Sequence, residues 1–254
     1  WVVPLWIAAL VLLAQGFILT QARGSWLGLG IVGIVGATLW LRRQLREHGR
    51  IRRGPLIIAV MALALLIGLN AGEILDRLHE EQEIAEQLLR GKVPAGQITS
   101  ITLRWHAQRF GFEHWLLRPW LGWGPGASYP LMLQGVAESA LGGGGSEAAA
   151  GLWDPVGGVL KHLHNSYLEL LTQLGLVGFG LWMTMAVLLF WGVGQALRQG
   201  HLSTDLGLFL LLALLYLALW SLFNFRMVHQ DFRGYWSLLA GAALSLTLCR
   251  SQPD

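Results

Sequence analysis

Apolar residues run in long blocks along this chain, and polar residues gather between them. A helix needs about 20 apolar residues to cross a bilayer. The blocks that reach or approach this length are residues 1–20, 25–41, 55–72, 176–197, 205–223 and 234–249. The second and last are short and predict spans that tilt or extend past these limits. Pro4 and Pro55 stand near block starts, where a missing N–H does least harm. Gly28, Gly30, Gly33 and Gly36 recur at small-residue spacing. That stripe reads equally as a close helix–helix contact or as a Gly-rich helix without one.

Residues 73–175 separate the third and fourth blocks, too long a stretch for a plain connector. Apolar positions 74, 75, 78, 84, 85, 88 and 89 predict a helix with one apolar stripe over 74–89. Residues 98–117, rich in Trp, Arg and His, predict a second helix. Residues 137–151 carry Gly142-Gly-Gly-Gly-Ser146, which reads as a flexible insert with no catalytic part. Asn165 or Ser166 is placed to cap a short helix through Leu174. Its apolar face is Tyr167, Leu168, Leu170, Leu171 and Leu174, and Glu169 is expected on its polar side. Gly175 ends that helix or bends it into the next block.

Composition turns these blocks into membrane spans. The chain is 54% hydrophobic and 13% charged, against about 25% charged in soluble domains. Its 13 tryptophans suit helices that meet headgroups. Arg42, Arg43, Arg46, Arg50, Arg52 and Arg53 cluster in one short segment, expected to be a cytoplasmic loop by the positive-inside rule. The net charge of +3 is therefore a topology marker and not a nucleic-acid signal. Residues 21–24, 73–175 and 224–233 then face outside. The expected fold class is all-α: a polytopic transmembrane helical bundle of about six spans with a long external helical loop region. Its parts are 1–72 with three spans, 73–175 with the candidate site, and 176–254 with three spans. Residue 1 already lies in an apolar run with no basic segment before it, unlike a signal peptide, and predicts further spans N-terminal to it. Cys249 is the single cysteine, which excludes a disulfide framework and a Cys-based metal site.

Several polar residues invite a chemical reading. Arg23, at the external junction of two spans, is either a snorkelling side chain or an anion ligand with five donors to satisfy. Arg104 reads first as part of a solvated helix face with His106 and Arg109. Arg118, before Pro119, reads as a loop or snorkelling residue. Gly122, Gly124 and Gly126 suit either a plain turn or a nest of N–H groups around a phosphate. No Lys-Ser/Thr follows them, which excludes a nucleotide-binding P-loop. His162 and His164 would face different ways on a helix, which argues against a two-histidine metal site. A lone histidine is usually structural, but it is also the side chain best suited to general-base work near neutral pH. Arg226, His229, Asp231 and Arg233 read as a solvated loop.

Three motifs in order resemble the O-antigen ligase and polymerase family. They are Thr20-Gln-Ala-Arg-Gly-Ser-Trp26, then Arg104 followed by Pro119-Trp-Leu-Gly-Trp-Gly-Pro-Gly126, then His164-Asn-Ser-Tyr-Leu-Glu-Leu-Leu-Thr-Gln-Leu-Gly175. Ala22 and Gln108 depart from the family's frequent Ser and Trp. The resemblance covers nearly the whole chain and implies the C-terminal half of a longer protein. It implies a metal-independent, cofactor-free, inverting glycosyltransferase at the periplasmic face of the inner membrane. The implied donor is a glycan on undecaprenyl diphosphate and the implied acceptor is lipid A–core, with membrane lipids around and no nucleic acid. Arg23 and Arg104 match the family's diphosphate-binding arginines, and His164 matches its proposed base. Gly124, Gly126, Asn165 and Tyr167 complete the expected substrate-binding set. A polymerase or a protein O-oligosaccharyltransferase would share the donor and differ in acceptor. A transporter or flippase would need charged residues at mid-span and inverted repeats, and the spans are nearly free of ionisable residues.

Overall fold

The computed structural model describes residues 23–49, 100–141, 151–154, 158–224 and 230–248, with single positions elsewhere such as Gln15, Asn70 and Ala149. The expected spans 1–20 and 55–72, the expected helix 74–89 and the insert 142–146 lie wholly or mostly outside these residues. The chain divides into two compact units, Trp1–Pro94 and Ala95–Asp254.

In the first unit, helix α1 runs over Arg23–His48. Its stretch Gly24–Glu47 is long and apolar enough to cross a membrane. The expectation of a basic loop from residue 42 is corrected: Arg42, Arg43 and Arg46 continue the helix, while Arg50, Arg52 and Arg53 lie outside the described residues. Arg, Gln, Leu and Glu are all good helix formers. Arg43 Nε also bonds Glu47 Oε1 at 2.8 Å, one turn on. A Cβ added at Gly30 or Gly33 would meet nothing within 4 Å among the described residues. Elsewhere in this unit, Gln15 and Asn70 exchange amide hydrogen bonds of 3.4 and 3.3 Å. Amides in apolar surroundings gain most by pairing with each other.

The second unit contains α2 (Ser100–Leu117), α3 (Ser128–Ala140), β1 (Trp153–Asp154), β2 (Gly158–Val159), α4 (Ser166–Arg198), α5 (Thr204–Trp220) and α6 (Gln230–Leu248). The two short strands pair antiparallel, Trp153 opposite Val159 and Asp154 opposite Gly158. The sequence reading does not anticipate them or α3, although Leu131, Met132, Gly135 and Val136 have helical spacing. The fold is otherwise helical, as expected. Among the described residues two helices are long and apolar enough to cross a membrane, and α5 is a shorter apolar helix.

Two clusters hold this unit together. Ala107 and Phe110 of α2, Met132 of α3, Ala149, Leu152 and Leu163 form one. Each large apolar side chain buried there contributes roughly 1.5–3 kcal/mol. Val193 and Ala196 of α4, Leu202 in the turn before α5, Leu210 and Leu214 of α5, and Ala243 of α6 form the other. Close packing between apolar helices forms this second cluster.

Helix α4 has 33 residues, about 50 Å at 1.5 Å per residue, against roughly 30 Å of hydrocarbon. Gly175 (φ 65, ψ −170) divides it. The first limb, 166–174, holds the site. The second limb, from Leu176, carries the apolar run. The loop 119–126 crosses this kink and satisfies the backbone groups that it frees. Leu176 N–H donates to Pro119 O (2.8 Å) and Val177 N–H to Trp120 O (3.1 Å). In return Trp123 N–H donates to Thr172 O (3.0 Å) and Gly124 N–H to Gln173 O (2.8 Å). A Cβ at Gly175 would strike the Trp120 carbonyl, and one at Gly122 would lie 2.5 Å from the Gln173 carbonyl. Both glycines also have positive φ, where a side chain is strained.

Gly175→Ala should therefore destabilise the protein by at least about 2 kcal/mol. Gly180, in the same helix, has open space around it, so Gly180→Ala should leave stability unchanged or raise it slightly. Thermal unfolding in detergent checks the pair, and equal effects would refute the close-approach account.

Candidate active site

The histidine loop is built from the core outward. Leu163 is fully buried in the cluster of α2 and α3, and His162 and His164 flank it. Gly111 of α2 admits the Leu163 side chain, since a Cβ there would sit 2.5 Å from Leu163 Cδ1. His164 adopts a left-handed φ of 55°, a conformation open to histidine but uncommon for it. Asn165 then extends (φ −146, ψ 111), and its Oδ1 accepts from Tyr167 N–H (3.0 Å) and Leu168 N–H (3.1 Å). That choice makes Asn165 the cap of α4 and commits its side-chain oxygen to the helix.

The histidines lie in this loop, not on a helix. The expectation that they face different ways is corrected: their ring centroids are 4.4 Å apart. Among the described residues no group of three or more His, Cys, Asp or Glu gathers around a common point.

Arg104 of α2 faces this loop. Burial lowers the pKa of its guanidinium, and it makes no hydrogen bond or ion pair with another described residue. The solvated-face reading of Arg104 thus gives way to a half-buried cation with donors to spare. His164 is lowered to about 4, first by burial, then by His162, then by Arg104. Its imidazole is neutral at physiological pH. Its Nδ1 is buried and has no hydrogen-bond partner among the described residues.

Glu169 is the residue that sequence reasoning misplaces. It is 1% exposed, not on a polar face. Its Oε2 accepts Leu163 N–H (2.9 Å) and its Oε1 accepts Gln173 Nε2 (2.7 Å). Burial raises its pKa, and hydrogen bonds from Ser128, Leu163 and Gln173 oppose that rise. The one local signal is its first-turn position, where a carboxylate favours the helix dipole.

The glycine loop is also redirected. Gly124 N–H donates to Gln173 O and Gly126 N–H to Gln173 Oε1, each at 2.8 Å. These amides are engaged inside the fold, which fits the plain-turn reading and leaves them no free N–H for a phosphate nest. Arg118 lies 4.1 Å over the Trp123 ring, and Trp123 Nε1 donates to His114 O (2.8 Å). Arg118 lies in the loop after α2, as its sequence position before Pro119 suggests, and the cation–π contact holds it there. Tyr167 points its hydroxyl to Ala218 O (2.7 Å), fastening α4 to α5. Arg23 begins α1 in the first unit, and its side chain lies outside the described residues. The side chains of Arg226, His229, Asp231 and Arg233 do so too.

The family model described as O-antigen ligase matches residues 8–183, more than half of the chain. The chain belongs to the O-antigen ligase family. No curated protein sequence matches it. The family match runs from before α1 into the second limb of α4 and takes in the Arg104 helix, the glycine loop and the histidine loop. With two long apolar helices among its described residues, this O-antigen ligase family member is a membrane protein and a glycosyl-transferring enzyme.

Arg104→Gln removes one of the charges that lower His164. The His164 pKa should rise above about 4 but stay below the ordinary value, because burial and His162 remain. Histidine-labelled NMR titration in detergent reads it, and an unmoved or lower value would separate the two side chains.

Proposed function

We propose that this protein transfers a glycan from undecaprenyl diphosphate to lipid A–core, at the periplasmic face of the inner membrane, without a metal and with inversion. The observation that carries the proposal is the half-buried Arg104, which has no anionic partner among the described residues, beside a neutral His164. A buried cation without an anion is costly unless an anionic ligand supplies the counter-charge.

In this reading the acceptor hydroxyl loses its proton to His164 as its oxygen attacks the anomeric carbon. The bond from that carbon to the diphosphate oxygen breaks, and the leaving diphosphate gains charge. Arg104 offers guanidinium donors to that charge. Arg23 is given the same role on its motif alone. Bound diphosphate also offsets the positive field that lowers His164, so donor binding raises the basicity of the imidazole. Leu117, Trp120 and Leu121 are exposed next to the kink that opens the second limb of α4. Such residues suit the lipid–water boundary, where a polyprenyl chain would lie with its head at the site. The orientation rests on the arginine cluster at 42–53, with 1–72 and 176–254 as the spanning parts and 73–175 outside.

Transfer is tested in detergent with undecaprenyl-diphosphate-linked glycan and purified lipid A–core, with and without EDTA. Transfer should survive EDTA, and His164→Ala should lower it by about 10²–10⁴-fold. Arg104→Ala should lower it by roughly 10²–10³-fold. Growth of glycan on the donor itself would mark a polymerase instead, and undiminished transfer by both variants would refute the mechanism.

The pH profile gives a second check. The acid limb of kcat/KM reports the free enzyme and should fall near pH 4. His164 is neutral above that pH and is lost as a base below it. The acid limb of kcat, which reports the donor-bound state, should lie at higher pH. Coincident limbs would contradict the coupling of His164 to the diphosphate.

A further inference from the structure

Glu169, Gln173 and Ser128 form a buried polar group that the proposed chemistry does not use. Its hydrogen bonds have only one consistent assignment. Gly126 N–H must donate, so it faces Gln173 Oε1 at 2.8 Å. Gln173 Nε2 then points the other way, to Glu169 Oε1 at 2.7 Å and Ser128 Oγ at 3.3 Å. The second Glu169 oxygen is left for Leu163 N–H at 2.9 Å. A turned amide on Gln173 would set N–H against N–H at Gly126. The chain of bonds thus runs from the glycine loop through two side chains to the peptide that precedes His164.

We propose that Glu169 and Gln173 are a positioning pair, which holds the His164 loop in its reactive geometry through the Leu163 amide and ties that loop to Gly126. The proposal rests on the reading of His164 as the base. Leu163 has two anchors, its side chain in the core and its N–H on Glu169. Together they fix the direction in which the chain leaves for His164. The left-handed φ of His164 needs such surroundings to persist. The apolar core holds the leucine side chain but has no means of choosing the orientation of its peptide. The carboxylate makes that choice.

The two side chains can be exchanged for one another, and that makes the pair testable. In Glu169→Gln, one carboxamide accepts from Leu163, and its NH2 then confronts the NH2 of Gln173. Turning Gln173 only moves the clash to Gly126. In Gln173→Glu, two carboxylates meet 2.7 Å apart, where they cannot both stay ionised without large cost. In the double variant E169Q/Q173E, the carboxamide at position 169 would accept from Leu163 and donate to the carboxylate at 173. That carboxylate would also accept from Gly126 and Ser128. Every donor again has an acceptor.

The experiment compares E169Q, Q173E, E169Q/Q173E and H164A in the full chain in nanodiscs. It reads kcat, KM for the donor, and amide hydrogen exchange over residues 160–166. Each single exchange should lower kcat by about 10-fold or more, leave the donor KM unchanged and speed exchange in the loop. The double exchange should return kcat and exchange toward wild type. Singles with wild-type kcat and wild-type exchange would overturn the pair, and so would a double variant no better than the weaker single. An H164A protein at full activity would overturn the base reading, and with it the catalytic role of the pair. An inactive H164A beside unaffected single variants would overturn the pair alone.

Discussion

Backbone lies directly on backbone where the loop 119–126 crosses α4 at Gly175. No side chain stands between the two strands of chain, and hydrogen bonds run both ways across the crossing. A broken helix frees carbonyls and amides that hydrocarbon cannot satisfy. Here the loop satisfies them, so the bend can sit at the head of an apolar span. Because α4 bends there, its first turns leave the line of the span and carry the histidine loop at their start. Trp123, pinned under Arg118 and bonded to His114, keeps the loop aligned with α2. The helix that bears Arg104 and the helix that follows His164 are thereby joined through one crossing.

Two kinds of force then act on the two ends of α4. Around Leu163, Phe110 and Met132 the cluster is held by exclusion of water. Around Val193, Leu210 and Ala243, close fit between apolar helices joins α4, α5 and α6. The polar residues follow the same division. Glu169, Gln173 and Ser128 sit in the first region, where each donor finds an acceptor. Arg104 and His164 are the departure, a cation and a neutral base beside it with bonding capacity left over among the described residues. Unspent capacity of this kind in a partly buried place is where a charged ligand gains most.

What the sequence reveals depends on the range of the interaction. The helix at 100–117, the cap at Asn165 and the bend at Gly175 are legible, because helical spacing, a short polar side chain and a glycine act within a few residues. The apolar limits of α5 are legible for the same reason. The burial of Glu169 is not, since Ser128 and the Leu163 peptide decide it from outside its own turn. Nor is the use of the glycine amides, whose partner Gln173 lies 47 residues from Gly126. Arg104 reads as solvated in the sequence because its neighbours Arg109 and His106 are polar. Its half-burial comes from packing of α2 against the loop that precedes α4. The arginine cluster reads as a loop when charge is weighed there and helix propensity is not.

The alternation His162–Leu163–His164 also has an evolutionary side. Substitution leaves the parity of this segment intact, so new side chains can be tried at positions 161 and 162 while Leu163 stays in the core and His164 at the site. Loss or gain of one residue between Val159 and Asn165 would reverse the parity. A histidine would then be driven into the apolar cluster and the leucine turned outward. Around Leu163 and His164 the segment can drift in composition, but its length is locked.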